Sequence, residues 1–130
     1  MAVPPEPGSR AAKAVAYMDF VKGKAPRTAQ ADWTFACWDE MAQLVDADKF
    51  VRVGKHGEEM RWTDTVALMD RHTAMPHDYT LRAATEVGDK VFLEMEEWLE
   101  HEGKTMRFNS VYIYTFNRGG KIVRLEFYMQ

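Results

Sequence analysis

The hydrophobic period of this chain changes once, at Pro76, and that change governs what it can fold into. Before Pro76 apolar residues recur at three- and four-residue spacing, and after it they alternate to the end. The alternating half is cut by Gly88-Asp89, Gly103-Lys104 and Gly119-Gly120, each a two-residue hairpin signal. Four strands are therefore predicted, at about His77–Val87, Lys90–His101, Thr105–Asn117 and Lys121–Gln130. Helices first and an antiparallel meander second make the chain α+β rather than βαβ. The helices pack across the curved sheet and enclose a small pocket.

In the helical half, Ser9 caps a helix running to about Lys22, with Ala14, Tyr17, Met18 and Val21 as its buried stripe. Gly23 to Gln30 interrupts the pattern. Asp32 starts a second helix that places Phe35, Trp38, Met41, Ala42 and Val45 on one face. Lys49–Val53 reads as a short strand, and Thr63 or Asp64 caps a third helix over about Thr65–Thr73, closed by Pro76. Residues 1–9, with three prolines, read as a flexible tail preceding one domain over 10–130.

Tight turns also set a register. A Gly103-Lys104 turn places Glu97 opposite Ser110, Met95 opposite Tyr112 and Leu93 opposite Tyr114. A Gly119-Gly120 turn places Tyr112 opposite Phe127 and Tyr114 opposite Leu125. One face then collects Val91, Leu93, Met95, Leu99, Phe108, Tyr112, Tyr114, Leu125, Phe127 and Met129, together with a single carboxylate, Glu97. Apolar groups and hydroxyls surround Glu97 in this register, with no basic neighbour. The opposite face mixes Phe92, Trp98, Val111, Ile113 and Tyr128 with Glu94, Glu96, Arg107, Arg124 and Glu126, a composition suited to a protein–protein interface.

Charge and cysteine usage narrow the partners. A net charge of −3 with scattered basic residues disfavours nucleic acid. No apolar run reaches the roughly 20 residues that span a bilayer, so no membrane partner is expected. The N-terminal residues lack a secretory pattern, and the protein reads as cytoplasmic. Cys37 is alone and reads as a buried thiol. The histidines show no metal-binding spacing, and no Gly-rich phosphate cradle appears, so neither a metal nor a nucleotide cofactor is indicated.

The stretch EVGDKVFLEMEEWLEHEGKTMRFNSVYIYTFNRGGKIVRLEFYM resembles the last three strands of SnoaL-like proteins, of the nuclear transport factor 2-like superfamily. Gly88-Asp89-x-Val91 and the run from Phe116 through Gly120-Lys121-Ile122-Val123 to Tyr128 carry most of the likeness. WDEMAQLVDADKFVRV resembles the family's second helix and first strand. The resemblance implies a cone-shaped α+β barrel with a pocket, dimeric through the outer face of its sheet. It places Tyr17 at the oxyanion-hole tyrosine of ketosteroid isomerase and Tyr112 at that enzyme's protonated aspartate. Val53 stands where that enzyme has its general base. Glu97 aligns with the water-activating aspartate of limonene-epoxide hydrolase, whose arginine and second aspartate become Met95 and Phe127. His77 and His101 align with the histidine pair of scytalone dehydratase, and share a face only if the Gly88 loop holds three residues.

The catalytic candidates are thus Glu97, Tyr112, Tyr17, His77 and His101. Trp38, Val53, Met95, Ser110, Tyr114, Phe127 and Met129 are the candidate lining of a pocket for a small hydrophobic molecule. A carboxylate in an apolar face must be paired, protonated or hydrated in a cavity. Glu97 is therefore either a general acid/base or the rim partner of a cation such as Arg61. Tyr17 and Tyr112 are either hydroxyl donors to a substrate oxygen or core aromatics. The functional expectation is a cofactor-independent lyase, isomerase or epoxide hydrolase. Its rival is a non-catalytic ligand-binding or dimeric interaction module of the same fold.

Overall fold

Ser9 opens the first helix, its hydroxyl accepting the Ala12 N–H at 3.0 Å. The computed structural model describes residues 4–24, 38–72 and 77–130. Helix α1 spans Arg10–Lys24, and Ala14, Tyr17 and Met18 on its inward stripe are buried. A second orphan donor, the Ala11 N–H, is met from across the fold by Glu86 Oε1 at 2.9 Å. The remaining elements are α2 (Asp39–Ala42), β1 (Val51–Val53), β2 (Glu59–Arg61), α3 (Trp62–His72), β3 (His77–Val87), β4 (Lys90–His101), β5 (Lys104–Phe116) and β6 (Ile122–Met129). The expected start of the second helix at Asp32, with Phe35 and Cys37, lies outside the described residues. So do Pro76 and residues 25–30 of the expected interruption after the first helix.

The six strands form one open sheet in the order β2-β1-β6-β5-β4-β3. The meander of β3 to β6 is antiparallel as expected, while β1 joins the edge of β6 in parallel. An isolated bridge from Val45 to Ile122 leads the chain into that pairing. Strand β2 was not expected. Its three residues are too few for a periodic signal and pair with β1 through a tight turn closed by Gly54 N–H to the Glu58 carbonyl at 2.9 Å. Helix α3 begins earlier than Thr65. Thr65 lies inside it, with its hydroxyl bonded back to the Arg61 carbonyl at 2.9 Å.

Two turn details revise the register. The β4–β5 turn is Glu102-Gly103, with His101 opposite Lys104. Both turn residues have positive φ, 52° and 76°, as a type I′ turn requires, and glycine takes the second, more demanding position. Glu97 therefore faces Phe108, Met95 faces Ser110 and Leu93 faces Tyr112. The displacement is two residues, so every side chain keeps its face. At the third turn a register shift at Thr115/Phe116 absorbs a longer loop, and Tyr112 still meets Phe127 and Tyr114 still meets Leu125.

The core lies between α1, α2, α3 and the inner sheet face. Trp38, Met41, Phe50, Val91, Leu93, Met95, Tyr114 and Ile122 are all buried there. Phe50 meets Trp62 edge-on at 5.2 Å, and Tyr17 meets Tyr114 edge-on at 5.6 Å, geometries that aromatic quadrupoles favour. Between α1, α3 and the far ends of β4, β5 and β6 the packing opens into a cavity of about 420 Å³. No helix among the described residues is long and apolar enough to cross a membrane.

Candidate active site

Glu97 is 2% exposed and forms part of the cavity wall. Its Oε1 lies 2.8 Å from His77 Nε2. The Tyr112 hydroxyl donates to Oε2 at 3.0 Å and to Oε1 at 3.3 Å. The carboxyl group is thus buried but paired, which answers the cost of removing it from water. Its partner is His77, not Arg61, which is exposed and donates to the Asp48 carbonyl instead. The expectation that no basic group adjoins Glu97 is likewise corrected.

His77 reaches this face by an unexpected route. The Gly88-Asp89 turn holds two residues, since Val87 pairs directly with Lys90. With unbroken pairing that turn would put His77 on the outer face. A register shift between Leu81 and Ala83 inserts Arg82 as an extra residue, and a bulge of one residue reverses the alternation beyond it. His77 then pairs with Leu99 and Tyr79 with Glu97. The bulge does what a longer turn was expected to do. His101 gains nothing from it. Its side chain is 58% exposed, at the β4 turn, with Nε2 3.7 Å from Glu102 Oε1. The two histidines do not form a buried pair.

Tyr112 stacks on Phe127, with centroids 4.9 Å apart and planes inclined by 28°. Burial first, then the adjacent Glu97 charge and the hydrogen bond to it, push its hydroxyl well above the ordinary tyrosine range. The group is a fixed neutral donor. Tyr17 also faces the cavity, and burial raises its pKa, opposed in part by the Arg52 charge. Its hydroxyl lies 3.9 Å from the Met69 thioether sulfur, a weak acceptor. That donor is available to a ligand oxygen, whereas the Tyr112 donor is committed to Glu97.

Of the expected lining residues, Phe127 and Met129 border the cavity. Trp38 belongs to the core, with its indole N–H bonded to Asp70 Oδ1 at 2.9 Å. Tyr114 is also core and fully buried. Met95 and Ser110 lie on the inner face, yet they border a separate depression shared with Glu94, Asn109 and Val111. Val53 registers with Glu126, on the outer side of β6. Its neighbours Arg52 and Gly54 take the cavity side.

The wall has several members that sequence reasoning did not select. Leu68 and Met69 of α3, with Leu99, Met106 and Phe108, make it mainly apolar. Arg52, Lys55 and Glu58 bring charge to the β1–β2 end. The Arg52 guanidinium carbon sits 5.9 Å from the Phe127 ring centroid. Among the described residues, no three His, Cys, Asp or Glu side chains gather as a group able to hold a metal ion.

No family model matches the sequence, and no curated protein matches it. Solved structures do match in three dimensions. A protein from Shewanella denitrificans OS-217 assigned as a SnoaL-like polyketide cyclase superimposes with a TM-score of 0.73 at 11% identity, covering 93% of this chain and 90% of that one. A nuclear transport factor 2-like protein of unknown function from Exiguobacterium sp. 255-15 gives 0.68 at 17% identity, over 91% and 98% of the two chains. An LEH-like epoxide hydrolase of M. tuberculosis gives 0.65 at 13% identity, over 91% and 83%. At such identities the likeness is one of fold.

Proposed function

We propose that this chain, which has the nuclear transport factor 2-like fold of SnoaL-like proteins, is a proton-transfer enzyme acting on a small, largely apolar, oxygenated molecule. One observation carries the reading. A carboxyl group 2% exposed is held between a histidine and a tyrosine in the wall of an otherwise mainly apolar cavity. Such a group is oriented, shielded from bulk water and close to bound substrate, the conditions for general acid–base catalysis.

The roles follow from the hydrogen bonds. Glu97 Oε2 accepts the Tyr112 hydroxyl and keeps a lone pair for a substrate proton. When a C–H bond adjacent to a carbonyl breaks, the proton passes to Glu97 and the electron pair moves onto the carbonyl oxygen. The Tyr17 hydroxyl, bonded only weakly to Met69, is the donor for that oxygen. Return of the proton to a second carbon gives an isomerase, and its return to a departing hydroxyl gives a lyase. His77 orients Glu97 and carries no bond-breaking step.

Epoxide hydrolysis is the less favoured branch, because Met95 and Phe127 stand where limonene-epoxide hydrolase carries its arginine and second aspartate. The similarity to an LEH-like epoxide hydrolase supports the fold alone. The test is hydrogen exchange at carbon. The protein is incubated in deuterium oxide with a panel of apolar cyclic ketones and enones, and loss of the α-proton signal is followed by NMR. Wild type should accelerate exchange for at least one compound, and Glu97→Gln should abolish the acceleration. Binding of the panel without exchange would instead favour the non-catalytic ligand-binding module.

A further inference from the structure

Arg52 is a cation on the wall of a mainly apolar cavity that makes no ion pair among the described residues. Its position follows from β1, only three residues long, whose parallel register sets Arg52 beside Leu125 and Val53 beside Glu126. Leu125 and Phe127 line the cavity, so the arginine shares their face. The guanidinium rests over Phe127 at 5.9 Å, and the residue is half-buried. Among the described residues it has neither an ion pair nor a hydrogen bond.

Two carboxylates share the cavity with it, and both are otherwise engaged. Glu97 is held by His77 and Tyr112. Glu58 folds back on its own turn, accepting the His56 N–H at 2.9 Å. Its pKa is lowered first by its own backbone N–H, with smaller contributions from His56 and from the Arg52 charge. Lys55 adds a second cation at the same end of the cavity. A partly desolvated guanidinium presents a planar fork of donors, which pairs best with a carboxylate or a comparably charged oxygen.

We propose that the ligand of this cavity carries an anionic oxygen that binds Arg52, joined to an apolar body that lies against Leu68, Met69, Leu99, Phe108 and Phe127. This deepens the acid–base reading and rests on the same cavity, with Arg52 fixing which end of the molecule faces Glu97. The arginine is a binding and positioning residue. It also separates this site from one that accepts neutral ketones alone, because an unmatched guanidinium favours a charged ligand over its neutral isostere.

The test uses 2-naphthoate and 2-naphthamide, which share shape and differ in charge, each titrated into the full chain by calorimetry in low salt. Naphthoate should bind at least about tenfold more tightly, a preference appropriate to one charge-assisted pair. Arg52→Gln should bring the two affinities together, and Arg52→Lys should keep part of the preference. Arg124→Gln, on the outer side of β6, should leave it intact. If Arg52→Gln does not fold, the wild-type Arg52 Nε–H resonance gives the same answer by shifting with naphthoate and not with naphthamide. Equal affinities, no binding of either probe, or a preference surviving in Arg52→Gln overturns the proposal. The acid–base reading fails separately: carboxylate preference without any carbon exchange rejects catalysis and keeps Arg52, while exchange on neutral ketones without that preference does the reverse.

Discussion

His77 Nε2 lies 2.8 Å from Glu97 Oε1 because one extra residue, Arg82, is accommodated in the strand that carries the histidine. The pairing of β3 with β4 is continuous on both sides of that bulge, so the contact is a matter of parity. Deleting Arg82 should restore unbroken alternation and turn either His77 or the segment beyond Ala83 to the wrong face. Loss of the His77–Glu97 contact, read as a change in the His77 ring NMR signals, is expected together with reduced stability. A variant retaining wild-type histidine signals would show that the contact does not depend on the bulge.

Removing the histidine alone tests the pair more directly. His77→Ala leaves a carboxyl group 2% exposed with the Tyr112 hydroxyl as its remaining partner. The cost of leaving a buried carboxyl group one partner short is about 1–3 kcal/mol. Urea unfolding should show that loss as a lower midpoint at unchanged slope. His101→Ala, at an exposed turn position, should change stability by less than about 0.5 kcal/mol.

Glu97→Gln separates stability from chemistry. The amide keeps the shape and an oxygen for Tyr112, and its N–H₂ can donate to the other histidine tautomer. Unfolding free energy should move by no more than about 1 kcal/mol. Carbon-exchange activity should fall by roughly 10²–10⁴-fold, the usual contribution of a positioned base. Glu97→Gln with full exchange activity would remove Glu97 from the chemistry.

Much of this architecture was legible in the sequence, and the reasons for the gaps are physical. Gly88-Asp89 and the apolar alternation located β3 and β4 to the residue, and alternation alone assigned Glu97 to the inner face. Arg82 gave no sign of a bulge, because bulged residues need neither Gly nor Pro. The side on which His77 would lie was therefore undetermined. Tyr114 and Trp38 were indistinguishable from cavity lining because an inward apolar residue looks the same whether it meets a void or a neighbour. Arg52 was missed for a related reason: with Val53 read as lining, alternation would turn Arg52 outward, whereas the parallel edge pairing turned the arginine inward instead.

The outer sheet face sets an expectation about assembly. Phe92, Trp98, Val111 and Ile113 are half-buried there and Tyr128 is 52% exposed. Charged groups on this face already meet within one sheet, Arg82 and Arg107 with Glu96, and Arg124 with Glu126 at 3.4 Å. Apolar contact would then be the main attraction in a homodimer formed by this face. Light scattering at micromolar concentration should give twice the 15.0 kDa protomer mass, and Tyr128→Glu should shift the population toward monomer. A 15.0 kDa species alone in wild type would reject the interface.

The buried tyrosines fix how the protein responds to alkali. Tyr17, Tyr112 and Tyr114 all have hydroxyl pKa values raised by burial above the ordinary value of 10.0. In the unfolded chain the same groups ionise near pH 10. Below that pH both states are protonated, and the stability associated with keeping these phenols neutral is fully present. Above it the unfolded state releases protons that the folded state retains, so stability falls with each further rise in pH. Tyrosinate absorbance from these three residues should therefore appear together with unfolding rather than before it. Tyr114 allows a specific check, because its hydroxyl is buried with no hydrogen-bond partner among the described residues. Tyr114→Phe removes an unsatisfied polar atom and one of the raised alkaline titrations. At neutral pH it should be neutral or stabilising by about 1 kcal/mol, and the alkaline loss of stability should become less steep. Tyr112→Phe shares the second effect but loses the bond to Glu97, so it should be destabilising at neutral pH. Finding Tyr114→Phe as destabilising as Tyr112→Phe in urea at pH 7 would mean that the Tyr114 hydroxyl is satisfied after all.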